Sequence, residues 1–574
     1  MQIIKSLLKL CLFICPAFAT AQTTYLNQGT KETHIVERME IKQQTNTDLN
    51  FSTLKPFDRK AIIRQAEFLD SARMGYRDST GQDKYKEWTD LDMSRVDEYN
   101  LQHLLMNNTE WVTGPKAGFA SKKMLLRTFY KTKANFIEVN NNDLFLVINP
   151  VFQYIASKES SNSESLVINT RGVTTRGMIA KKVGFSALIT ENQERGPLFF
   201  QDRIKRYDAV PGVGFYKPFK TTGTDYFDAR GYFTFNAAKF IDFQIGYDKN
   251  FIGDGYRSLF LSDWGNSYLF AKINTRVWKF NYQNIFMELM PEFKKAGDTL
   301  LERKYAAMHH LSMNVTKWLN LGLFESVILS RRKNFDLQYL NPIIFYRHIE
   351  GSIGSRDNAL AGFDFKANIA HRLQLYGQLL LDEFILSEIK KNDGYWANKW
   401  GVQLGLKYMD AFGISNLDLQ FESNRVRPFT YSHGDSIANY THYNQPLAHP
   451  LGANFQEFVG IANYQPSPRW YIYGRLIYYV QGLDSLNGAN MGADPFRANG
   501  DQRRMDRGYS IAGGRKVRCA NALLQLSYEL KENLFVDASF LYRKYKFVNE
   551  TGVTNTSLFS LGVRLNMFKR DYDF

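Results

Sequence analysis

Lys399 to Tyr408 reads KWGVQLGLKY, and this stretch indicates the fold class of the chain. Tryptophan, valine, leucine and tyrosine hold its even-numbered positions, whereas lysine, glycine and glutamine hold the odd-numbered ones. Because successive side chains of a β-strand point to opposite faces, the stretch predicts a strand with one apolar and one polar face. A transmembrane barrel uses such faces for lipid and for a wet lumen, but a soluble β-sandwich also alternates.

The same period of two recurs from about residue 143 to the end of the sequence. Clear examples lie at 183–190, 241–245, 417–422, 524–530, 534–540 and 559–567. We count about 18 such segments, an even number that is typical of bacterial outer-membrane barrels. The predicted fold is therefore an all-β transmembrane barrel of about 18 antiparallel strands over residues 142–574, with a small N-terminal α-helical domain before it.

The connections between the predicted strands alternate in length. Very short links lie at 238–239, 278–279, 317–318, 370–372, 466–468 and 531–533, and long loops at roughly 191–229, 248–266, 290–305, 330–358, 385–398, 425–454 and 481–519. A barrel alternates in this way when one rim faces the periplasm and the other faces the outside, whereas a soluble sandwich gives no reason for it. We expect both termini in the periplasm and the long loops at the cell surface or inside the lumen. The last strand should end near Phe568, because the alternation breaks at 569–573.

The first residues predict export. Lys5 and Lys9 precede a short apolar run, and Ala19-Thr20-Ala21 supplies small residues for cleavage, so 1–21 is a predicted signal peptide. The large Ile14 before Cys15 argues against a lipoprotein site. The mature chain is expected in the outer membrane of a Gram-negative bacterium.

Residues 22–141 are predicted to form a periplasmic segment. The part up to about residue 53 is polar and without periodicity, so we expect it to be extended or disordered. Apolar residues then recur at helical spacing, which predicts helices at about 56–72 and 92–106. The two helices predict a small helical bundle, either a periplasmic domain or a plug, whose expected role is to steady the barrel.

Composition agrees with an exported barrel. Aromatic residues make up 15% of the chain, while the mean hydropathy of −0.37 is low, as expected when only every second residue meets lipid. Cys519 is the single cysteine after the signal, so no intrachain disulfide forms. The formal net charge of +15 suits lipopolysaccharide phosphates or an acidic polysaccharide, and nucleic acid is not an expected partner of an exported chain.

The stretch 246–263, GYDKNFIGDGYRSLFLSD, is the first candidate binding segment. It follows a predicted strand and places carboxylates, a guanidinium and aromatic rings together. Sugars offer flat C–H faces and rings of hydroxyls, which such side chains recognise. The alternative is a loop that these polar groups hold in shape. The candidate residues are Asp248, Asp254, Tyr256, Arg257 and Asp263.

This segment resembles the glycine-rich segment of the Wzi-like family of outer-membrane capsule-assembly barrels. Further blocks with the same likeness lie at 341–358, 427–433 and 449–454. The resemblance implies an 18-stranded barrel with a periplasmic helical bundle, a lumen narrowed by folded loops, and a surface role in holding polysaccharide. The family includes a gliding-motility branch, RemB, which acts through protein partners.

The other blocks add candidate contacts: Arg347, Asp357, Asn358, Arg427, Tyr431 and His433. Inside a barrel such residues equally well satisfy one another and close the pore. Basic residues of the loops suit an acidic glycan or lipopolysaccharide phosphates: Arg203, Lys205, Arg206, Arg331, Arg332, Lys333, Arg503, Arg504, Arg507, Arg515, Lys516 and Arg518.

Neither a metal nor catalysis is expected. His433, His442 and His449 share one loop, but their spacing matches no tight ligand pair and no cysteine lies nearby. Ser432 and Asp435 flank His433 without the strand-turn-helix context of a nucleophile. The sequence holds neither a P-loop nor a dinucleotide fingerprint, so no cofactor is predicted.

The sequence therefore predicts a non-enzymatic barrel that binds or organises surface polysaccharide at its outer loops. Its predicted partners are outer-membrane lipid, lipopolysaccharide and polysaccharide. The alternative is a gliding-motility accessory whose partners are proteins of a gliding or export machinery. A passive channel is the third hypothesis, and it requires an open lumen.

Overall fold

The computed structural model describes residues 23–45, 48–73, 93–122, 124–126, 128–292, 300–330, 335–341, 345–354, 357–383 and 385–574. The predicted signal peptide at 1–21 and the loop residues 331–333 lie outside these ranges. Among the described residues, no helix has the length and apolar character needed to cross a membrane.

Eighteen strands form one closed antiparallel barrel, which confirms the predicted fold class. In chain order they are β1 (Leu144–Glu159), β2 (Leu166–Ile179), β3 (Val183–Arg195), β4 (Gly223–Ala238), β5 (Ile241–Asp248), β6 (Tyr268–Val277), β7 (Phe280–Leu289), β8 (Lys304–Asn314), β9 (Leu319–Leu329), β10 (Asn358–Ile369), β11 (Leu373–Glu383), β12 (Lys399–Tyr408), β13 (Leu417–Val426), β14 (Phe455–Ser467), β15 (Trp470–Leu483), β16 (Arg515–Lys531), β17 (Leu534–Phe547) and β18 (Val553–Leu565). Each strand pairs with the next, and β18 closes the barrel on β1 with Leu565 opposite Phe152.

The alternation in β12 separates an outer from an inner face, as the sequence predicts. Leu404 is 56% exposed on the outer surface, whereas Gln403 is fully buried inside the barrel. Lys399 and Lys407 also lie on the inner face and are buried. The lumen is thus lined by polar side chains that need partners, and these partners determine what fills it.

The two rims differ as the connection lengths predict. Each link on the turn rim has two to eight residues, and examples are 239–240, 278–279, 370–372 and 532–533, whereas the loop rim has short links only at 160–165 and 548–552. Exposed aromatic side chains surround this rim, including Trp278 at 75%, Trp318 at 40% and Trp470 at 41% exposure. Aromatic side chains concentrate at membrane interfaces, so this ring fits the edge of a lipid-facing band.

The loop rim carries the long connections. The predicted loop at 191–229 is shorter in the structure, since β3 continues to Arg195 and β4 begins at Gly223. In the described parts of the loops there are three short α-helices: α4 (Leu198–Tyr207), α5 (Tyr346–Ile353) and α6 (Leu386–Lys391). They follow α1 (Lys31–Gln43), α2 (Arg59–Arg73) and α3 (Arg95–Asn107), which precede the barrel.

The described residues between 23 and 116 form a helical plug at the turn rim. Helices α2 (Arg59–Arg73) and α3 (Arg95–Asn107) lie where the sequence predicts helices. A third helix, α1 (Lys31–Gln43), lies in the part expected to be extended or disordered, so that expectation is wrong. Its Ile35, Val36 and Met39 are buried in the apolar cluster of the plug. This burial stabilises a helix whose apolar spacing in the sequence gives only a weak helical signal.

Ion pairs attach the plug to the barrel. Arg38 of α1 contacts Asp410 in the β12–β13 link at 2.7 Å. Lys31 contacts Glu529 at 2.5 Å and Glu532 at 2.7 Å at the end of β16. Residues Leu54–Lys55 of the plug form a short strand against Phe251–Ile252, which belongs to a loop from the opposite rim. The plug therefore meets a loop of the loop rim inside the barrel.

The residues after β18 turn into the lumen. The last strand ends at Leu565, three residues earlier than predicted. Asn566 has a positive φ of 50°, and its side chain donates a hydrogen bond to the Pro150 carbonyl at 2.8 Å. The segment 566–574 then runs inside the barrel, where Phe574 packs in a cluster with Phe200 and Tyr226.

Candidate functional site

The loop 249–267 folds inward from the loop rim, and we call it the inward loop. The backbone amides of Tyr256 and Arg257 donate to the Glu422 carboxylate of β13 at 2.7 and 3.2 Å. A Cβ at Gly255 would lie 2.4 Å from Oε2 of Glu422. Glycine is needed here because only a backbone without a side chain can approach the wall so closely.

Asp254 joins the inward loop to both the plug and the wall. Its carboxylate accepts a hydrogen bond from the Thr53 hydroxyl at 2.8 Å and lies 3.3 Å from Nζ of Lys366 on β10. Asp254 is 5% exposed. In this structure the side chain holds the loop in place, and ligand binding by it stays a prediction.

Arg257 joins the inward loop to segment 566–574. Its Nη1 donates to Asp573 at 2.7 Å, and Glu457 of β14 lies 3.4 Å from Nη2. Although burial alone would raise the pKa of Asp573, the guanidiniums of Arg257 and Arg475 lower it to about 2. The Tyr256 hydroxyl donates to the same carboxylate at 2.6 Å. The arginine that the sequence analysis assigns to a ligand is thus paired with the side-chain carboxylate of Asp573.

Four of the predicted contacts line one lumenal cavity: Asp248, Tyr256, Arg257 and Asp263. The cavity has a volume of about 490 Å³ and lies between the plug, the inward loop and segment 566–574. The amide of Lys249 donates to Asp248 at 2.8 Å. The structure thus brings these four residues together, as their spacing in sequence suggests.

A second group of predicted contacts lies at the loop rim, and most of its members are buried. Asp357 accepts a hydrogen bond from the Tyr339 hydroxyl at 2.9 Å. Asn358 donates to the Ala438 carbonyl at 3.0 Å, and Tyr431 donates to the Leu259 carbonyl at 2.9 Å. These contacts tie the loops to one another.

Arg347 and His433 are the more accessible members of this group. The side chain of Arg347 is 77% exposed and contacts Glu350 at 2.8 Å. His433 is half-buried, and its Nδ1 accepts a hydrogen bond from the amide of Asp435 at 3.2 Å. Burial lowers the pKa of His433, so the ring is neutral near pH 7.

The remaining histidines of this loop have separate partners. His442 contacts the backbone of Met290 and of Ser267, each at 3.0 Å. His449 contacts Glu457 at 2.7 Å. Within the described ranges, no three His, Cys, Asp or Glu side chains form a group that fits a metal ion.

Arg427 belongs to an accessible cluster that the sequence reasoning identified only in part. It donates to the Asn398 and Tyr395 carbonyls at 2.8 and 3.1 Å. Beside it, the guanidinium of Arg503 stacks 3.7 Å from the ring centre of Trp396. We call Tyr395, Trp396, Arg427, Arg503 and Arg507 the loop-rim platform.

Two loops hold the platform rigidly. Trp396 donates its amide to Asp506 at 3.0 Å, and Tyr509 donates its amide to Gly394 at 3.0 Å. Gly394 has a φ of +75°, and a Cβ there would lie 2.6 Å from the Tyr509 carbonyl. Arg507 stays 44% exposed beside Glu388 and Asp393. The sequence analysis names Arg503 and Arg507 as basic loop residues that suit an anionic partner. It does not identify Trp396, because the residue that stacks on it, Arg503, belongs to another loop.

Solved structures with similar folds share the barrel architecture. Wzi, an outer membrane protein involved in group 1 capsule assembly in Escherichia coli and described as a carbohydrate-binding β-barrel, aligns with a TM-score of 0.55 at 12% identity, over 96% of this chain and 100% of that chain. The chain shares the fold of Wzi. OprD from Pseudomonas aeruginosa aligns with a TM-score of 0.40 at 11% identity, over 73% of this chain and 94% of that chain.

The likeness to Wzi extends over nearly the whole chain, so it includes the plug as well as the barrel. No protein-family model and no curated sequence matches the chain. At 12% identity, the likeness to Wzi concerns the fold. The fold is that of an outer-membrane barrel, in agreement with the expected location.

Proposed function

We propose that this chain is a non-enzymatic outer-membrane barrel that binds or organises an acidic surface polysaccharide at its loop rim. The observation that carries the proposal is the loop-rim platform, in which the Arg503 guanidinium lies 3.7 Å from the ring centre of Trp396 and the Arg507 guanidinium lies 5.4 Å from that of Tyr395. Aromatic faces suit the C–H faces of sugars, and arginine pairs with carboxylates in a fixed geometry. The platform thus places both kinds of group together at the loop rim, where Arg507 is 44% exposed and the other members are half-buried.

The filled lumen supports binding over transport. The plug enters from the turn rim, the inward loop enters from the loop rim, and the two meet at the strand pair Leu54–Lys55 and Phe251–Ile252. Segment 566–574 occupies further space between them. A passive channel needs a continuous aqueous path, and this arrangement argues against one.

The likeness to Wzi supports the same proposal, because that protein is described as a carbohydrate-binding barrel involved in capsule assembly. A polysaccharide presents many repeats of the same unit. Weak binding at each platform therefore sums over many copies of the protein in the membrane. With the loop rim at the cell surface, the turn rim and the plug face the periplasm. In the same proposal, residues 1–21 direct export.

The direct test measures polymer binding by the detergent-solubilised barrel. Alginate is the acidic probe and dextran the neutral one. The double substitution of Trp396→Ala with Arg503→Ala should weaken alginate binding about tenfold, or roughly 1.4 kcal/mol. A matched control is Trp278→Ala with Lys279→Ala, since this pair stacks at 5.5 Å on the opposite rim. Equal binding by both double variants would contradict the proposal.

A second candidate function is that of a gliding-motility accessory that acts through protein partners. It is favoured by exposed apolar side chains in the outer loops: Leu337 and Phe345 are each 74% exposed, and Leu386 is 60% exposed. Large exposed apolar side chains in surface loops are the kind of group that a protein partner can cover. Scoring a deletion strain for shed polysaccharide and for colony spreading separates the two functions. Shed polysaccharide with normal spreading supports the first, and failed spreading with retained polysaccharide supports the second.

A further inference from the structure

The lumenal cavity has the size and lining of a small-molecule site. Its volume is about 490 Å³, within the range of roughly 300 to 1,000 Å³ that is common for ligand pockets. Tyr256, Trp264, Tyr473 and Phe574 contribute aromatic surface to its wall. Charged side chains from the plug, the barrel and segment 566–574 lie between them.

Most cations around the cavity have a carboxylate partner. Lys55 and Lys407 both contact Glu37, at 2.8 and 2.9 Å. Arg230 contacts Asp228 at 2.5 Å. Arg570 and Arg564 have partners in Glu194 and Asp537 at 3.1 and 2.6 Å. This pairing is expected, because a buried charge without a partner is costly.

Lys249 and Lys569 differ from these cations. Nζ of Lys249 donates to the Gly212 carbonyl at 2.7 Å, and Nζ of Lys569 lies 4.4 Å from the ring centre of Tyr473. In the described part of the chain, neither ammonium has a carboxylate within ion-pair distance. Burial first, and then nearby guanidiniums, lower the pKa of Lys249 to about 7 and that of Lys569 to about 8.

We infer that this cavity binds a mono- or disaccharide that carries anionic groups, and that Lys249 and Lys569 hold those groups. Asp228 and Asp263 act on Lys249, and Asp571 and Asp537 on Lys569, from beyond ion-pair distance. A ligand carboxylate or phosphate would give each ammonium a direct partner. The aromatic side chains receive the ring faces of the sugar. The saccharide class rests on the proposed function, whereas the anion site rests on the cavity and its two ammonium groups that have no direct ion pair.

The ligand enters from the turn rim. The cavity reaches Gly29, an exposed residue of the plug, and Asn416 in the β12–β13 link. Gly212 and Ser262, which belong to loops of the opposite rim, also line it. In the proposed orientation, the site samples soluble sugars of the periplasm and is separate from the loop-rim platform.

Calorimetric titration of the full-length barrel in detergent tests this inference, with glucuronic acid, glucose and inorganic phosphate as probes. Glucuronate should bind at least tenfold more tightly than glucose, and more tightly than phosphate. The double substitution of Lys249→Gln with Lys569→Gln should weaken glucuronate binding at least tenfold. Lys239→Gln, at an exposed turn-rim lysine, is the matched control and should bind as the wild type does.

The wild type also gives a test that does not depend on folding of the variant. Glucuronate binding should fall as the pH rises from about 6 to about 9, because the two ammonium groups lose their protons near pH 7 and pH 8. Absence of glucuronate binding, or unchanged binding by the double variant, would overturn the site. Equal binding of phosphate would overturn the saccharide assignment. Alginate binding at the platform is measured separately, so failure of one proposal is distinguishable from failure of the other.

Discussion

The Arg257 guanidinium donates to the Asp573 carboxylate at 2.7 Å, and this buried contact joins the inward loop to the last residues of the sequence. Arg257 also donates to the Asp573 carbonyl at 2.5 Å. Both side chains are less than a tenth exposed. Ion pairs of this kind join distant parts of the chain inside the barrel. Removing one partner of such a pair should therefore have a measurable effect.

Asp573→Asn should destabilise the folded barrel. The substitution removes the charge nearest to Arg257 and leaves Glu457, at 3.4 Å, as its remaining acidic partner. Breaking a buried ion pair on one side costs about 3–5 kcal/mol. Urea unfolding followed by tryptophan fluorescence measures the change. Asp501→Asn is the control, because Asp501 is half exposed beside Arg497 and should lose less than about 1 kcal/mol.

The same pair predicts a dependence of stability on pH. The folded-state pKa of Asp573 is about 2, below its ordinary value of 3.8. A depressed carboxyl pKa stabilises the folded state above the unfolded-state pKa, and this contribution is lost as the pH falls through the folded-state value. The stability difference between wild type and Asp573→Asn, of which this shift supplies roughly 2 kcal/mol, should shrink between about pH 4 and pH 2. A difference that stays constant over that interval would refute this assignment.

Gly255→Ala should displace the inward loop and open the lumen. The added Cβ would lie 2.4 Å from Glu422 and 2.8 Å from the Arg257 carbonyl, both at the point where the loop is anchored. We expect closed records from the wild type in planar bilayers and measurable conductance from the variant. Gly552→Ala is the matched control, since a Cβ at that position has no neighbour within 4 Å. A closed record from both variants would show that other contacts hold the loop.

The strands could be predicted from the sequence because their signal is local. In β12 the period of two separates Leu404 from Gln403 without any knowledge of a neighbouring strand. The plug was only partly predictable. Helix α1 buries Ile35 and Met39 against α3 and nearby residues. The stabilisation from this burial cannot be read from the sequence, because the stretch is rich in charged residues.

The candidate site was harder to predict, because its contacts are not local. Arg257 was chosen as a candidate ligand contact, which stays a prediction, and its partner in the structure, Asp573, lies 316 positions away. Trp396 was missed for the same reason, since Arg503 reaches it from a different loop. Composition and spacing identify residues that need partners, whereas the folded barrel decides which partners they receive.

Arg38→Leu should release the plug from the turn rim. The Arg38 side chain is 6% exposed and contacts Asp97, Asp410 and Asp418. Without the guanidinium, the three carboxylates lie close together with less positive charge to balance them. The folded state should lose about 3–5 kcal/mol of stability as a result. Limited proteolysis should cleave the chain between the plug and β1 faster in the variant, while the barrel stays intact. Arg64→Leu is the control, because Arg64 is 59% exposed beside Asp48, and equal cleavage rates would contradict the prediction.

Arg518→Gln with Lys546→Gln should reduce binding of lipopolysaccharide. These two side chains are register partners on β16 and β17, near the loop rim, and both are exposed on the outer surface. Like charges directly opposite each other are unfavourable in a sheet unless a counterion lies between them. A lipid phosphate supplies that counterion, and each basic residue contributes about 1 kcal/mol at such a surface. The lipopolysaccharide that copurifies with the barrel should therefore fall severalfold, whereas the turn-rim pair Lys181→Gln with Lys239→Gln should retain it. An equal loss in both variants would attribute the effect to net charge and not to this pair.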